Sequence, residues 1–261
     1  RLTALLLAST MLAGVSAARA EEETPPSVEE LVVTAQKRQE NIQDVPVAVT
    51  ALSTRKLQEL QIEKFDDYAK FLPSVAYQSS APGFSTVYMR GVASGGDGNH
   101  SGSMPSVGTY LDEQPVTTIG GALDLHVYDV ARVEALAGPQ GTLYGANSQA
   151  GTIKIVTNPA DPSGFAASYD VGANTVSGGS AGYSLEGMVN APIGDRAAVR
   201  LVAWKVHDGG YIDNVKGTRT YPVSGVTINN NALAGNDYND ADTWGVRIAG
   251  LVDVADGWTV R

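Results

Sequence analysis

The sequence predicts an α+β domain followed by antiparallel strands of transmembrane β-barrel type, and three observations carry this. From 46 to 157 short helical and extended patterns alternate, whereas after Asn158 the chain turns to strict apolar–polar alternation. The alternating strands are about ten residues long with one apolar face each. Their connections are unequal, a tight turn at 192–195 against a long polar excursion at 208–242.

The composition leaves room for this. With 261 residues, 43% hydrophobic and 18% charged, the chain can bury a core in one or two domains. Beyond the N-terminus no apolar run is long enough for a spanning helix, while alternating strands leave the mean hydropathy near zero, at −0.08. Twenty-nine glycines, 11 tyrosines and no cysteine suit a turn-rich β protein exported without disulfides. On composition alone an ordinary cytosolic β protein stays open. A net charge of −10 without clustered Lys and Arg argues against a nucleic-acid partner.

Taken in order, residues 1–20 read as a signal peptide: Leu2 to Val15 is a short apolar core, and Ala18-Arg19-Ala20 supplies small residues for cleavage. With Arg1 as the sole n-region charge and no initiator Met, a residue or more is expected upstream. Residues 21–41 form an extended, solvated segment containing the β-prone run Glu30, Leu31, Val32, Val33, Thr34 and Ala35. Such a strand pairs within its own chain or adds to another protein's sheet edge, and the sequence leaves both open.

Residues 42–158 read as the mixed domain. Strands are expected at 47–50, 86–90, 107–111, 132–136 and 152–157, and a helix through Phe65, Tyr68, Ala69 and Leu72 before Pro73. The stretches 77–85 and 93–106 read as loops, long enough to suggest function. Residues 159–261 read as the first barrel strands. Phe165, Ala167, Tyr169, Val171 and Ala173 share one face; Tyr183, Leu185, Val189 and Ala191 a second; Trp244, Val246, Ile248, Val252 and Val254 a third. At 197–207 Val202 and Trp204 share a face with Arg200. A soluble sandwich also alternates, but aromatics near strand ends (Tyr169, Tyr183, Trp204, Trp244, Trp258) favour an interfacial girdle.

These segments resemble the TonB-dependent outer-membrane receptors. Glu30 to Ala35 is similar to a TonB box, and Asp44-Val45-Pro46-Val47-Ala48-Val49-Thr50 resembles the opening of the family's plug domain. Arg90-Gly91, Val107-Gly108-Thr109-Tyr110-Leu111-Asp112 and Arg132-Val133-Glu134-Ala135-Leu136 resemble its central strands. Gly138-Pro139-Gln140-Gly141-Thr142-Leu143-Tyr144-Gly145 and Gly151-Thr152-Ile153-Lys154-Ile155-Val156-Thr157 follow in the family's order.

The resemblance implies an incomplete barrel of roughly 22 strands enclosing the plug. It also implies TonB-dependent uptake of a scarce large nutrient, most often a ferric siderophore, with TonB's periplasmic domain and outer-membrane lipid as partners. The implied location is the outer membrane, plug and box open to the periplasm; no catalysis, resident metal or cofactor is implied, the cargo itself being an iron chelate. Apical plug loops would meet the ligand through Ser80, Phe84, Asp97, Asn99 and His100, and Arg90, Asp112, Arg132, Glu134 and Lys154 would form a plug network. Ala137 departs from the family, where a basic residue pairs plug with barrel wall; Arg90 and Arg132 are the nearest substitutes. An enzyme using His100, His126 or His207 finds no nucleophile or metal-ligand spacing in the sequence, and a passive porin or adhesin needs no coupling strand.

Overall fold

A computed structural model describes residues 31–81, 84–92, 104–119, 121–123, 125–255 and 257–261. The expected signal peptide, Glu30, Asp97, Asn99 and His100 lie outside them.

The mixed domain begins with two short paired strands, β1 (Val32–Val33) and β2 (Glu40–Asn41). Then come β3 (Ala48–Ser53), α1 (Thr54–Glu59), α2 (Phe65–Ala69), β4 (Val75–Ala81), β5 (Phe84–Met89) and β6 (Val107–Leu111). Next are β7 (Gln114–Pro115), β8 (Thr117–Thr118), β9 (Gly121–Leu123), β10 (Val130–Ala137), α3 (Gly141–Tyr144) and β11 (Gly151–Thr157). The central sheet runs β3-β10-β11-β6-β7, with β6 and β11 parallel. A four-stranded sheet, β4-β5-β9-β8, lies beside it.

The sequence explains these elements locally. The Ser53 hydroxyl accepts from Lys56 N–H at 3.4 Å and caps α1, whose Leu57 turns into the core. The Asp67 carboxylate accepts from Lys64 N–H at 3.3 Å at the start of α2. Phe65 meets Tyr68 and Tyr77 edge-on at 5.1 and 5.2 Å, and Val133, Ile153 and Ile155 from the central sheet close the same core. Gly151 is required by close approach: a Cβ there would stand 2.5 Å from the Leu136 carbonyl oxygen on β10.

The stretch 77–85, expected to be a loop, is instead the β4–β5 hairpin. Its tip is small and polar, so the apolar alternation fades where the pairing does not: Val75 and Tyr77 pack on the core while Val87 and Met89 are buried across from them. Ser80 and Phe84 therefore sit on strand backbone.

The rest is one antiparallel sheet, β12 (Ala166–Thr175), β13 (Ala181–Pro192), β14 (Ala197–Asp208), β17 (Ala241–Ala255) and β18 (Trp258–Val260). Between β14 and β17 the long excursion carries its own hairpin, β15 (Thr218–Thr220) and β16 (Thr227–Asn229). Side-chain amides fasten that loop: Asn239 Oδ1 accepts from Tyr211 and Ile212 N–H at 2.7 Å, and Asn230 Oδ1 from Gly217 N–H at 2.6 Å. Asn214 Nδ2 donates to the Leu233 carbonyl at 2.7 Å.

The register sorts the two faces as the alternation predicts. Tyr169, Val171, Leu185, Val189, Leu201, Val246 and Ile248 are exposed on the face turned from the plug. Met188, Asn190, Ala198, Val202 and Leu251 are buried on the other. At 197–207 the pattern is irregular because the plug-facing side also carries apolar groups. Trp204 is a correction to the expected girdle: it points to the plug, its ring stacked on His126 at 5.1 Å and lying over Gly245, where a Cβ would be 2.2 Å from the indole. No helix among the described residues is long and apolar enough to cross a membrane.

Candidate coupling site

The β-prone run that opens the described chain is docked on the plug. Leu31 accepts from Ile42 N–H at 2.9 Å, β1 pairs with β2, and Val33 and Ala35 are buried with Tyr110, Leu136 and Tyr144. Its position depends on one buried carboxylate. Glu134 Oε1 accepts from the Thr34 N–H at 2.8 Å, the Thr34 hydroxyl at 3.1 Å and Arg132 Nε at 2.6 Å. Arg132 Nη2 also donates to the Thr34 hydroxyl oxygen at 3.2 Å. Glu134 is wholly buried, and its Oε2 has no hydrogen-bond partner among the described residues.

Tyr144 holds the same segment from the other side, its hydroxyl donating to the Ala35 carbonyl at 3.0 Å and the Thr34 carbonyl at 3.3 Å. Burial, reinforced by Glu134, Glu113 and Tyr110, pushes that hydroxyl's pKa far up, so it stays a donor. Tyr110 in turn donates to the Tyr144 carbonyl. A second charge chain reaches the turn after β1: Lys37 lies 3.7 Å from Glu113, whose other oxygen accepts from buried Lys154 at 2.6 Å.

The five expected network residues thus fall in three places. Arg132, Glu134 and Lys154 lie on the face that holds the docked segment. Asp112, at φ 53°, accepts from Thr157 N–H at 2.8 Å and its hydroxyl at 2.9 Å, closing the end of β11. Arg90, at φ 52°, is exposed with its guanidinium beside Gly138.

Sequence reasoning missed the seam between plug and wall. Neither Arg90 nor Arg132 makes a wall contact among the described residues. Instead the plug contributes an acid: Asp129 accepts from Arg200 Nε at 2.6 Å and Nη2, and from Arg247 Nη2 at 3.3 Å. Arg247 donates also to the Asp129 carbonyl at 2.7 Å. Nearby, His126 Nε2 meets a Glu186 oxygen, both side chains buried. Burial and Glu186 raise the pKa of neighbouring Glu63 from its ordinary value, against the opposing pull of His126. Asn190 clips the turn leading out of the plug, accepting from Asp161 N–H at 2.9 Å and donating to the Asp161 and Gly164 carbonyls at 2.8 Å. The register of β12 to β17, once known, was the only signal for these pairs.

His207, without a partner by linear spacing, lies with Asp240 and Asp242 at the base of the long loop, their ligand atoms within 4.8 Å of one another. Its Nδ1 is 3.2 Å from Asp242.

Residues 41–152 match the model of the TonB-dependent Receptor Plug Domain. The chain is 33% identical to the pesticin receptor of Yersinia pestis over 169 residues, 63% of this chain and 24% of that protein. It is 30% identical to the catecholate siderophore receptor Fiu of Escherichia coli over 186 residues, 68% of this chain and 22% of that one. In fold it is similar to the pyoverdine outer membrane receptor FpvA of Pseudomonas aeruginosa, with TM-score 0.56 and 19% identity over 70% of this chain and 25% of that one. The chain spans about a quarter of the length of the curated relatives it matches. Fold and seam together define a plug domain with an adjoining stretch of β-barrel wall. Residues 41–152 belong to the plug-domain family of the TonB-dependent receptors.

Proposed function

We propose that this chain is the plug-bearing part of an outer-membrane transporter that imports a scarce large nutrient, a ferric siderophore, using energy delivered through TonB. In this reading 1–20 is the export signal, 21–41 the periplasmic segment, 42–158 the plug and 159–261 the first part of the barrel. Glu30 to Ala35 is the TonB box. The observation that carries the reading is the docked segment: a strand-forming run held by one carboxylate, one tyrosine and a short hairpin. A periplasmic partner offering a sheet edge can replace those contacts by backbone pairing. Relatives named for siderophore uptake support the cargo class, and no bond of the cargo is broken. Apical contact with ligand is assigned to the β4–β5 hairpin end, with Ser80 and Phe84, and to Asp97, Asn99 and His100. Arg90, Asp112, Arg132, Glu134 and Lys154 are assigned to holding plug and box in register.

In the full-length receptor, Val33→Pro removes a strand N–H and fixes φ. Uptake of the ferric ligand is expected to collapse while outer-membrane level and ligand binding persist; undiminished uptake would refute the box assignment. Deleting 97–103 is expected to raise the dissociation constant for ligand without unfolding the plug, since a polar loop adds little core. An unchanged constant would move the ligand to other loops.

A further inference from the structure

We propose that Asp129 is the residue that keeps this plug seated, with charges reversed from the arrangement that the family resemblance implies, and that the cavity beside it is the route opened when this contact breaks. The proposal rests on the reading of the chain as plug and barrel wall.

Asp129 stands at φ 55° immediately before β10, its side chain almost fully buried. Its carboxylate takes paired donors from Arg200 on β14 and one from Arg247 on β17, so a single plug residue ties two adjacent wall strands. Asn158 Nδ2 also donates to it at 2.9 Å, and Asn158 N–H donates to its carbonyl at 3.3 Å, so the same residue holds the end of β11. Removing one member of a buried charged set leaves the others uncompensated, and this one has two guanidinium groups to leave. His126 with Glu186 makes a second contact along the seam, but it joins one plug residue to one wall carboxylate.

Between plug and wall lies a cavity of about 640 Å³, lined among others by Gln58, Glu63, Asp129, Ser184, Glu186 and Arg200. Asp129 and Arg200 are thus both latch and lining. Opening the latch removes the bridge across the cavity's wall side, whereas the segment's dock on Glu134 lies farther along β10 and is not part of the lining.

The test uses the full-length receptor in liposomes, with no TonB and no ligand, and raffinose as a neutral probe. Asp129→Asn and Arg200→Gln are each expected to admit raffinose several-fold faster than the unaltered receptor while the barrel keeps its heat-modifiable mobility on gels. Adding Ser184→Trp to Asp129→Asn is expected to return the flux to the starting level by filling the cavity, a reversal that general loosening of the plug would not give. If Asp129→Asn fails to assemble, Arg200→Lys, which keeps the charge but loses the paired N–H contacts, carries the same comparison with a smaller rise. Unchanged flux in these variants overturns the latch, and a raised flux that Ser184→Trp leaves unaltered overturns the route. Because neither TonB nor cargo is present, failure here is separable from failure of the Val33→Pro experiment.

Discussion

Glu134→Ala is expected to free the docked segment. The alanine leaves Arg132 Nε and the Thr34 N–H without their buried acceptor, and breaking a buried ion pair in this way costs about 3–5 kcal/mol. A hairpin held by few other contacts cannot absorb that, so the docked form gives way to a released one. The measurement is limited trypsin digestion of the full-length receptor at Lys37 and Arg38, which lie in the turn between β1 and β2. Cleavage should accelerate by an order of magnitude or more in Glu134→Ala, and much less in Glu134→Gln, which keeps an oxygen acceptor. Equal cleavage in all three proteins would mean that Glu134 does not hold the segment.

The second large effect belongs to the wall. Val171 and Ile248 are exposed on the face turned from the plug, whereas Asp170, next in sequence, shares the plug-facing register with its partner Glu186 and Arg247 binds Asp129. Arginine at a mid-bilayer, lipid-facing position costs roughly 2–4 kcal/mol. Val171→Arg and Ile248→Arg should therefore cut the amount of assembled receptor in the outer membrane, while Asp170→Asn should leave it at the normal level. Spin labels at 171 and 248 should be reached by lipid-soluble quenchers, with a label at 170 shielded. Similar quenching at 170 and 171 would mean that this alternation serves a soluble sheet.

The faces of β12, β13 and β17 were legible in the sequence because alternation encodes side directly, and the order of plug motifs was legible because their glycines and β-branched runs are local. The β4–β5 hairpin was not, since Gln78 and Ser79 lack the apolar period and their pairing with Thr86 and Ser85 is a property of the partner strand. The run from Leu31 to Ala35 was recognisable as β-prone, but nothing near it in sequence announces Glu134 or Tyr144, about a hundred residues away, as its holders. Asp129 was invisible for a like reason. A single acid before a strand has no signature until β14 and β17 bring two arginines to it, and the expectation of a basic plug residue directed attention to Arg90 and Arg132. Trp204 was misassigned because position along a strand suggests an interface, while only register tells which face the ring takes.

The long loop between β14 and β17 has a practical consequence. Its asparagines, Asn214, Asn230 and Asn239, satisfy backbone groups within the loop, and both its ends leave from the paired register of Asp208 with Ala241. Its scaffold therefore rests mainly on itself, with the Gly210 carbonyl tied to the β12–β13 turn by the Ser180 N–H at 2.9 Å. Residues 209–240 form a cassette that should be exchangeable between receptors sharing this strand pair, so that recognition can diversify at the rim by transplantation while the wall, the latch and the coupling segment are inherited intact.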